Sequence, residues 1–335
     1  MIAVFDQNQQ PKGLEQPAER TESPASRPLS KVQQRLIAAN NRITTEPPDR
    51  SDFLHTVMCQ VGMPRRATAA RTFERTSGPF SVLLEAGKLW NGKDWALQPL
   101  PYGTTPRLVM VHLSSEAIRT QNRRVELGDS MRQFLQMLGM PTTGGQRGGY
   151  TMFRKQMEAL AACRLTIGMK SEGRVVTVDA KPIKRFEAWL QQDGSQQTLW
   201  PGVLELSTDF YDTLAQHAVP LDYRALSALK HSALALDVYT WLAHRLCRIK
   251  LAAGTMLSWE NLREQFGQEY ASSKDFKREF RAVLRQVWLV YPDARIEEVP
   301  GGIVLRESPP PITKTNISFA GVRLGGSPVD NSGER

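Results

Sequence analysis

The sequence predicts an α+β protein, because one order of elements occurs twice along the chain: a helix, a turn, a basic helix and a β-hairpin. The second copy is the clearer one, and its basic helix is predicted from Ser273 to Trp288. At about 100° per residue, four apolar residues of this helix fall within roughly 60° of one another, and five basic residues lie almost opposite. The apolar residues are Phe276, Phe280, Val283 and Val287, and the basic ones are Lys274, Lys277, Arg278, Arg281 and Arg285.

Short elements flank this basic helix. A helix from Ser258 to Phe266 precedes it, with Ser258 as the N-cap and Gly267 as the stop. A turn at residues 300–302 separates two predicted strands between Arg295 and Leu305. Two helices followed by a hairpin are typical of a winged helix-turn-helix domain, in which the second helix enters the DNA major groove. A solvated charged surface on an ordinary helix is the alternative interpretation.

The first copy lies upstream. Helices are predicted from Thr105 to Thr120, from Asp129 to Leu138, where Asp129 is the expected cap, and from Tyr150 to Arg164, followed by a hairpin from Leu165 to Val178. The turn T-T-G-G-Q-R-G-G before the third helix could suggest a phosphate-binding loop. However, it follows a helix and lacks a closing Lys-Ser/Thr, so a flexible turn is favoured. The residues of this turn and helix that are predicted to face away from the core are Arg147, Thr151, Arg154 and Lys155.

These patterns divide the chain into four segments. An apolar helix from Leu226 to Ile249 is predicted to form the spine of the second domain. Polar, proline-rich composition at both ends predicts flexible tails. The predicted segments are a largely disordered N-terminal tail with short helices at 1–75, a first winged-helix domain at 76–190, a second at 191–310 and a disordered C-terminal tail at 311–335.

The positive charge of the chain is concentrated in the two copies. Between Arg147 and Glu187 there are nine Lys or Arg against four Asp or Glu, and between Lys274 and Arg295 there are six against three. These regions hold most of the net charge of +9. Localised positive charge favours a polyanionic partner such as nucleic acid.

Motifs for catalysis and for metal binding are lacking in the sequence. There is no G-x-x-x-x-G-K-[ST] loop, and the histidines do not occur as His-x-His or His-x-x-x-His pairs. We therefore expect no cofactor, no metal and no enzymatic activity. No apolar run is long enough to cross a membrane, and no signal peptide is recognised, so a cytoplasmic location is expected. Three isolated cysteines, Cys59, Cys163 and Cys247, fit a reducing compartment.

Several motifs resemble those of the plasmid-encoded RepA replication initiators. Their order and spacing carry the resemblance, which covers roughly Leu97 to Leu305. The motifs are P-L-P-Y-G-T-T-P-R-L (99–108), S-S-E-A-I-R-T (114–120), V-E-L-G-D-S (125–130), T-G-G-Q-R-G-G (143–149), S-A-L-A-L-D-V-Y-T-W-L-A-H-R (232–245), S-W-E-N-L (258–262) and D-F-K-R-E-F-R-A-V-L (275–284).

The resemblance implies a non-enzymatic initiator that binds repeated sequences, called iterons, at the plasmid origin and helps to open it. It implies base contacts by the second domain, and phosphate contacts and a dimer interface in the first. It also implies a homodimer in equilibrium with a monomer, a role in copy control, and the host initiator and replicative helicase as partners. Because Arg can pair bidentately with guanine, Arg278, Arg281 and Arg285 are the favoured base-reading residues. A winged-helix transcriptional repressor and, less favoured, a DNA-nicking replication enzyme are the alternatives.

Overall fold

The chain is rich in helices in the part that can be described. The computed structural model describes residues 28–146, 148–171, 173–179, 181–186, 202–267 and 269–313. In these ranges it forms ten α-helices, here numbered in chain order, and a 3-10 turn at Leu246–Arg248. The helices are α1 (Lys31–Thr45), α2 (Thr56–Gln60), α3 (Thr104–Thr120), α4 (Met131–Met137), α5 (Gly149–Ala162), α6 (Thr208–His217), α7 (Tyr223–Leu229), α8 (Ala233–Arg245), α9 (Trp259–Phe266) and α10 (Ser273–Val290).

The strands form small antiparallel sheets, so the predicted α+β class is confirmed for the described ranges. The strands are β1 (Ser51–His55), β2 (Thr72–Ser77), β3 (Phe80–Glu85), β4 (Lys88–Trp90), β5 (Trp95–Leu97), β6 (Arg124–Glu126), β7 (Arg164–Ser171), β8 (Arg174–Asp179), β9 (Ile183–Phe186), β10 (Val203–Leu206), β11 (Ala218–Asp222), β12 (Thr255–Ser258), β13 (Ile296–Val299) and β14 (Gly302–Leu305). The sheet orders are β1-β11, β2-β3-β7-β8, β4-β5, β6-β10-β9 and β12-β14-β13.

The predicted helices and hairpin around the second basic helix are present. Helix α9 is capped by Ser258, whose Oγ accepts a hydrogen bond from the Asn261 amide at 3.1 Å, and it ends at Gly267. Helix α10 continues beyond its predicted end to Val290. The hairpin β13–β14 turns at Gly301, whose φ of 90° lies in the left-handed region that favours glycine. Strand β12, which was not predicted, pairs with β14 and completes a three-stranded sheet.

The prediction of one helix from Leu226 to Ile249 is wrong, because the segment forms two helices, α7 and α8. The Oγ of Ser232 accepts a hydrogen bond from the Ala235 amide at 3.2 Å and begins α8. A serine side chain that caps a new helix competes with continuation of the preceding one. Helix α8 still forms the centre of the core, where Tyr239 and Trp241 are fully buried.

Residues 31–60 contribute side chains to the core, whereas the sequence predicted a largely disordered tail with short helices; the short helices are present, and the segment is ordered between them. Helix α1 is capped by reciprocal hydrogen bonds between Ser30 and Gln33 and packs against α7 and α10. Strand β1 pairs antiparallel with β11 and buries Phe53 and Leu54. The local sequence could not show this, because the partner strand lies in the second half of the chain.

The first copy of the predicted order is also embedded in a larger structure. The hairpin β7–β8 is present, and β2 and β3 extend it to four strands, so the predicted boundary at residue 75 falls within β2. Helix α4 is capped by Ser130 instead of Asp129, because the Ser130 Oγ accepts the Gln133 amide at 3.3 Å. Strand β10 pairs with both β6 and β9.

A buried ion pair joins the two halves of the molecule. The Arg107 Nε on α3 lies 2.6 Å from Oδ1 of Asp237 on α8, and both side chains are less than 10% exposed, at 7% and 6%. The Arg107 guanidinium also donates to the carbonyl oxygens of Pro64 and Gly103 at 3.1 and 2.6 Å. Helix α3 contacts α5 on one side and α8 on the other, and α10 packs on α8.

Candidate nucleic-acid interface

Helix α10 has the two-sided character that its sequence predicts. Its first turn is capped by Ser272, whose Oγ accepts the Asp275 amide at 3.1 Å. The four predicted apolar residues are buried at no more than 1% exposure, and Leu284 and Val290 are buried with them. The opposite side carries the five basic residues. Lys274, Arg278 and Arg285 are exposed, whereas Lys277 and Arg281 are half-buried.

The two half-buried cations of α10 lie over one aromatic ring. The guanidinium carbon of Arg281 is 4.9 Å from the ring centroid of Trp259, and the Nζ of Lys277 is 5.8 Å from it. Trp259 opens α9, and its amide donates to the Gly301 carbonyl oxygen at 2.9 Å. The ring thus lies where α9, α10 and the hairpin β13–β14 meet.

Arg281 also has an acidic partner on the hairpin. Its Nε donates to Oε1 of Glu298 at 2.8 Å, and its Nη2 contacts the same oxygen. Sequence reasoning identified Arg281 but missed both Glu298 and Trp259. The hairpin is therefore not basic at this point, since Glu297 of β13 is paired with Arg306 at 3.0 Å.

The three exposed cations of α10 differ in whether their side chains have hydrogen-bond or ion-pair partners. Arg278 pairs with Asp275 one turn earlier, at 2.8 Å between Nη2 and Oδ1, and this side chain is 73% exposed. Lys274 and Arg285 form no hydrogen bond or ion pair with the residues that the structure describes. These two cations can therefore reach an anionic ligand without breaking an internal contact.

The predicted residues of α5 have more varied surroundings. Lys155 is exposed, and the Nε of Arg154 lies 3.9 Å from Oε1 of Glu158 one turn along the helix. Burial raises the pKa of the Glu158 carboxyl, and the nearby Arg154 and Lys155 oppose that rise. The Thr151 side chain bonds to the preceding turn, where its Oγ1 donates to the Gly145 carbonyl oxygen at 2.9 Å. Arg147 lies outside the described residues.

The glycine-rich turn before α5 is closed by its own hydrogen bonds. The Gly149 amide donates to Oγ1 of Thr143 at 3.0 Å, and the Tyr150 amide donates to the Thr143 carbonyl oxygen at 3.2 Å. A Cβ on Gly148 would lie 2.1 Å from the Gly144 carbonyl oxygen, so only glycine fits there. Because amides at the start of α5 already have partners, this geometry favours a structural turn over a phosphate cradle.

Burial favours the neutral form of three histidines and two cysteine thiols elsewhere in the molecule. Burial lowers the pKa of His55, His112 and His244 to about 4. Burial raises the pKa of the Cys163 thiol to about 12, and that of Cys59 is raised as well. Among the described residues, no group of three or more His, Cys, Asp or Glu is placed to hold a metal ion. No helix in the same ranges is long and apolar enough to span a membrane.

The middle of the chain matches a known protein family. The family model described as plasmid-encoded RepA protein matches residues 100–261. These residues are similar to the plasmid RepA family. The match confirms the resemblance found in the sequence, and it spans a little under half of the 335 residues.

A crystal structure of selenomethionine derivatives of domains 2 and 3 of RctB aligns with a TM-score of 0.42 and 10% sequence identity, covering 79% of this chain and 96% of that one. No curated protein matches the chain.

The RepA match begins just before α3 and ends within α9. It therefore includes α5 with Thr151, Arg154 and Lys155, together with the buried pair Arg107 and Asp237. Helix α10 and the hairpin β13–β14 lie after it. The basic side of α10 is a candidate nucleic-acid interface because of its geometry.

Proposed function

We propose that this protein is a non-enzymatic plasmid replication initiator that binds repeated sequences in the duplex of its origin. In this proposal the protein contains two winged helix-turn-helix units in tandem. Helix α10 enters the major groove of an iteron, and α5 contacts the same duplex through phosphates. The plasmid RepA match supports the initiator role.

The arrangement of α9, α10 and the sheet β12-β14-β13 is the observation that carries the proposal. Two helices separated by a short turn are followed by a hairpin, and β12 brings the start of α9 onto the same sheet. The second helix buries one side and exposes cations on the other. This is the geometry by which helix-turn-helix domains place a helix in the major groove.

The surroundings of each cation of α10 suggest which one contacts bases, which one contacts phosphates and which one has a structural role. Arg285 is exposed and free of partners in the described residues, and Arg can pair bidentately with guanine, so it is the first candidate for base reading. Lys274 at the start of α10 suits a phosphate contact. Arg281 is held by Glu298 and Trp259, and we propose that it chiefly fixes the hairpin against α10.

The unit around α5 is proposed to contribute phosphate contacts and a dimer interface. Lys155 is an exposed cation of α5, and the amides of Gly149 and Tyr150 at the start of the helix donate to Thr143. The unit includes α3 and α4, and its hairpin β7–β8 belongs to the sheet β2-β3-β7-β8. A homodimer in equilibrium with a monomer and the recruitment of host initiator and helicase are part of the same proposal.

The proposal is tested on the DNA that flanks the gene. We expect tandem repeats of about 20 base pairs, which two groove-contacting units spaced about one helical turn apart would span. The full-length protein should protect these repeats from nuclease digestion and should bind them more tightly than a random duplex of the same length in competition. Equal binding to both duplexes, with no protected repeat, would overturn the proposal. Cleavage of supercoiled origin DNA by the purified protein would favour a nicking enzyme instead.

A further inference from the structure

A two-stranded hairpin away from α10 exposes two tryptophans. In the antiparallel pair β4–β5, Trp90 lies opposite Trp95, so both side chains leave the same side of the hairpin. They are 55% and 64% exposed, and Leu97, two residues after Trp95, is 65% exposed on that side. An exposed cluster of large side chains of this kind marks an interaction site.

The hairpin is firmly held, so the exposure does not come from a loose loop. The opposite side contributes Leu89 to the core. At the base of the hairpin, the Arg71 guanidinium donates to the carbonyl oxygen of Ala86, before β4, at 2.8 Å. It also donates to the carbonyl oxygen of Gln98, directly after β5. At the tip, the Asn91 Oδ1 accepts the amides of residues 93 and 94 at 2.8 and 2.7 Å. The two rings are thus presented by an ordered scaffold.

The lysines beside the rings favour an anionic partner. Lys88 lies on the same side as Trp90, two residues before it, and Lys93 lies in the turn next to one exposed carboxylate, Asp94. Both lysines are exposed, and neither forms an ion pair with a residue that the structure describes. Lysine is depleted from protein–protein interfaces, whereas cations interleaved with aromatic rings are typical of surfaces that bind single-stranded nucleic acid.

The ring geometry favours a single strand over a duplex. The ring centroids are 5.8 Å apart and the planes are inclined by 58°. Rings at that distance and inclination leave no flat slot between them for a base, so each can stack on a base only through its outer face. Bases in a duplex are stacked on one another and do not offer free faces, whereas unpaired bases do.

We propose that the hairpin β4–β5 binds single-stranded DNA, with Trp90 and Trp95 stacked on separate bases and Lys88 and Lys93 beside the phosphates. The choice of DNA over RNA rests on the proposed function, because an initiator that opens its origin meets unpaired DNA. The hairpin contains none of the cations of α10, although β4 contacts α5. Substitution of its rings leaves the cations of both helices in place, so duplex binding and strand binding can be tested with separate variants.

The test uses the full-length protein and two fluorescein-labelled probes, an oligothymidylate of about 16 nucleotides and a duplex of random sequence. Trp90→Ala and Trp95→Ala should each weaken oligothymidylate binding about tenfold, which is within the range of base–aromatic stacking. Trp90→Phe and Trp95→Phe keep a ring and should retain most of the affinity. Leu251→Ala, which removes a similarly exposed apolar side chain (66%) outside the hairpin, is the matched control and should leave both affinities unchanged.

Three results would overturn the proposal. If the wild-type protein does not bind oligothymidylate, or if both alanine variants bind it as tightly as the wild type does, the hairpin is not a strand-binding site and a protein partner becomes the better explanation of its surface. If the alanine variants lose duplex affinity to the same extent, the hairpin is not specific for single strands. A loss confined to oligothymidylate leaves the proposed duplex function untouched, and a failure of duplex binding alone leaves the hairpin site intact.

Discussion

Arg281 and Glu298 tie helix α10 to the following hairpin, with 2.8 Å between the Arg281 Nε and the Glu298 Oε1. The guanidinium lies at the same time over the ring of Trp259. Sequence reasoning placed Arg281 near the centre of the basic side, as a favoured base-reading residue. The structure shows a side chain that already has two partners, so a bidentate base contact through the Arg281 Nε and Nη2 would require Glu298 to be displaced.

This arrangement predicts a measurable coupling between the two residues. The side chains are 42% and 45% exposed, so solvent screens the pair and its interaction should contribute only about 0.2–1 kcal/mol. A double-mutant cycle with Arg281→Ala and Glu298→Ala, followed by urea unfolding, should yield a favourable coupling of that size. Additive effects of the two substitutions would show that the pair does not form in solution.

Loss of one partner of the buried pair Arg107–Asp237 should lower the stability of the fold far more than loss of the exposed pair Arg281–Glu298. Asp237→Ala leaves the Arg107 charge buried without its carboxylate, which typically costs about 3–5 kcal/mol. The double variant Arg107→Met with Asp237→Leu should be more stable than Asp237→Ala, because it removes both buried charges. Urea unfolding of the three proteins checks the order. A double variant that is less stable than Asp237→Ala would contradict this account.

Elements with a strong local pattern could be predicted from the sequence. Helix α10 was predicted because its apolar residues recur with the helical period, and the turn at Gly301 because glycine supplies the positive φ. Contacts between distant segments could not be predicted in this way. Strand β1 reads as part of a polar tail until β11 is placed beside it, and the break at Ser232 is a cap within an otherwise continuous apolar pattern.

The same limit applies to the candidate interface. The five cations of α10 follow from periodicity alone. The different surroundings of these cations could not be predicted from periodicity. Glu298 and Trp259 approach Arg281 only after the hairpin and α9 have packed on α10. The face formed by Trp90 and Trp95 was missed because three-residue strands give almost no periodic signal.

Buried histidines predict sensitivity to acid. The pKa of His55 is about 4 in the folded protein because of burial, against about 6.5 in an unfolded chain. The unfolded chain therefore binds more protons between these values, and stability is lost as the pH falls from about 6.5 towards 4. Each of His55, His112 and His244 should contribute on the order of 1–3 kcal/mol over that window.

His55→Asn tests this prediction, since Asn can keep the cap that the His55 Nδ1 provides to the Val57 amide at 3.1 Å. Urea unfolding at about pH 7 and about pH 5 should show a smaller loss of stability for the variant than for the wild type. Equal losses would mean that His55 is protonated in the folded protein as readily as in the unfolded one.

Salt dependence should identify the lysines that meet phosphates. Each such contact contributes about 0.9 to the slope of log K against log salt concentration on B-DNA. Lys274→Ala and Lys155→Ala should each flatten the slope by roughly one unit, with similar losses on repeat and random duplexes. Lys31→Ala, which removes an exposed charge from α1, is the matched control and should leave the slope unchanged.

The most direct test of the central claim is the affinity of Arg285→Ala for an origin repeat and for a random duplex, measured side by side at one salt concentration. If the exposed side of α10 reads the major groove, the variant should lose about 1–3 kcal/mol on the repeat and much less on the random duplex, with unchanged stability. Arg285→Lys keeps the charge but not the bidentate fork, so it should recover random-duplex affinity and not discrimination. Full discrimination by Arg285→Ala would contradict base reading by Arg285, and if Arg278→Ala also retained it, α10 would not be the helix that reads the origin.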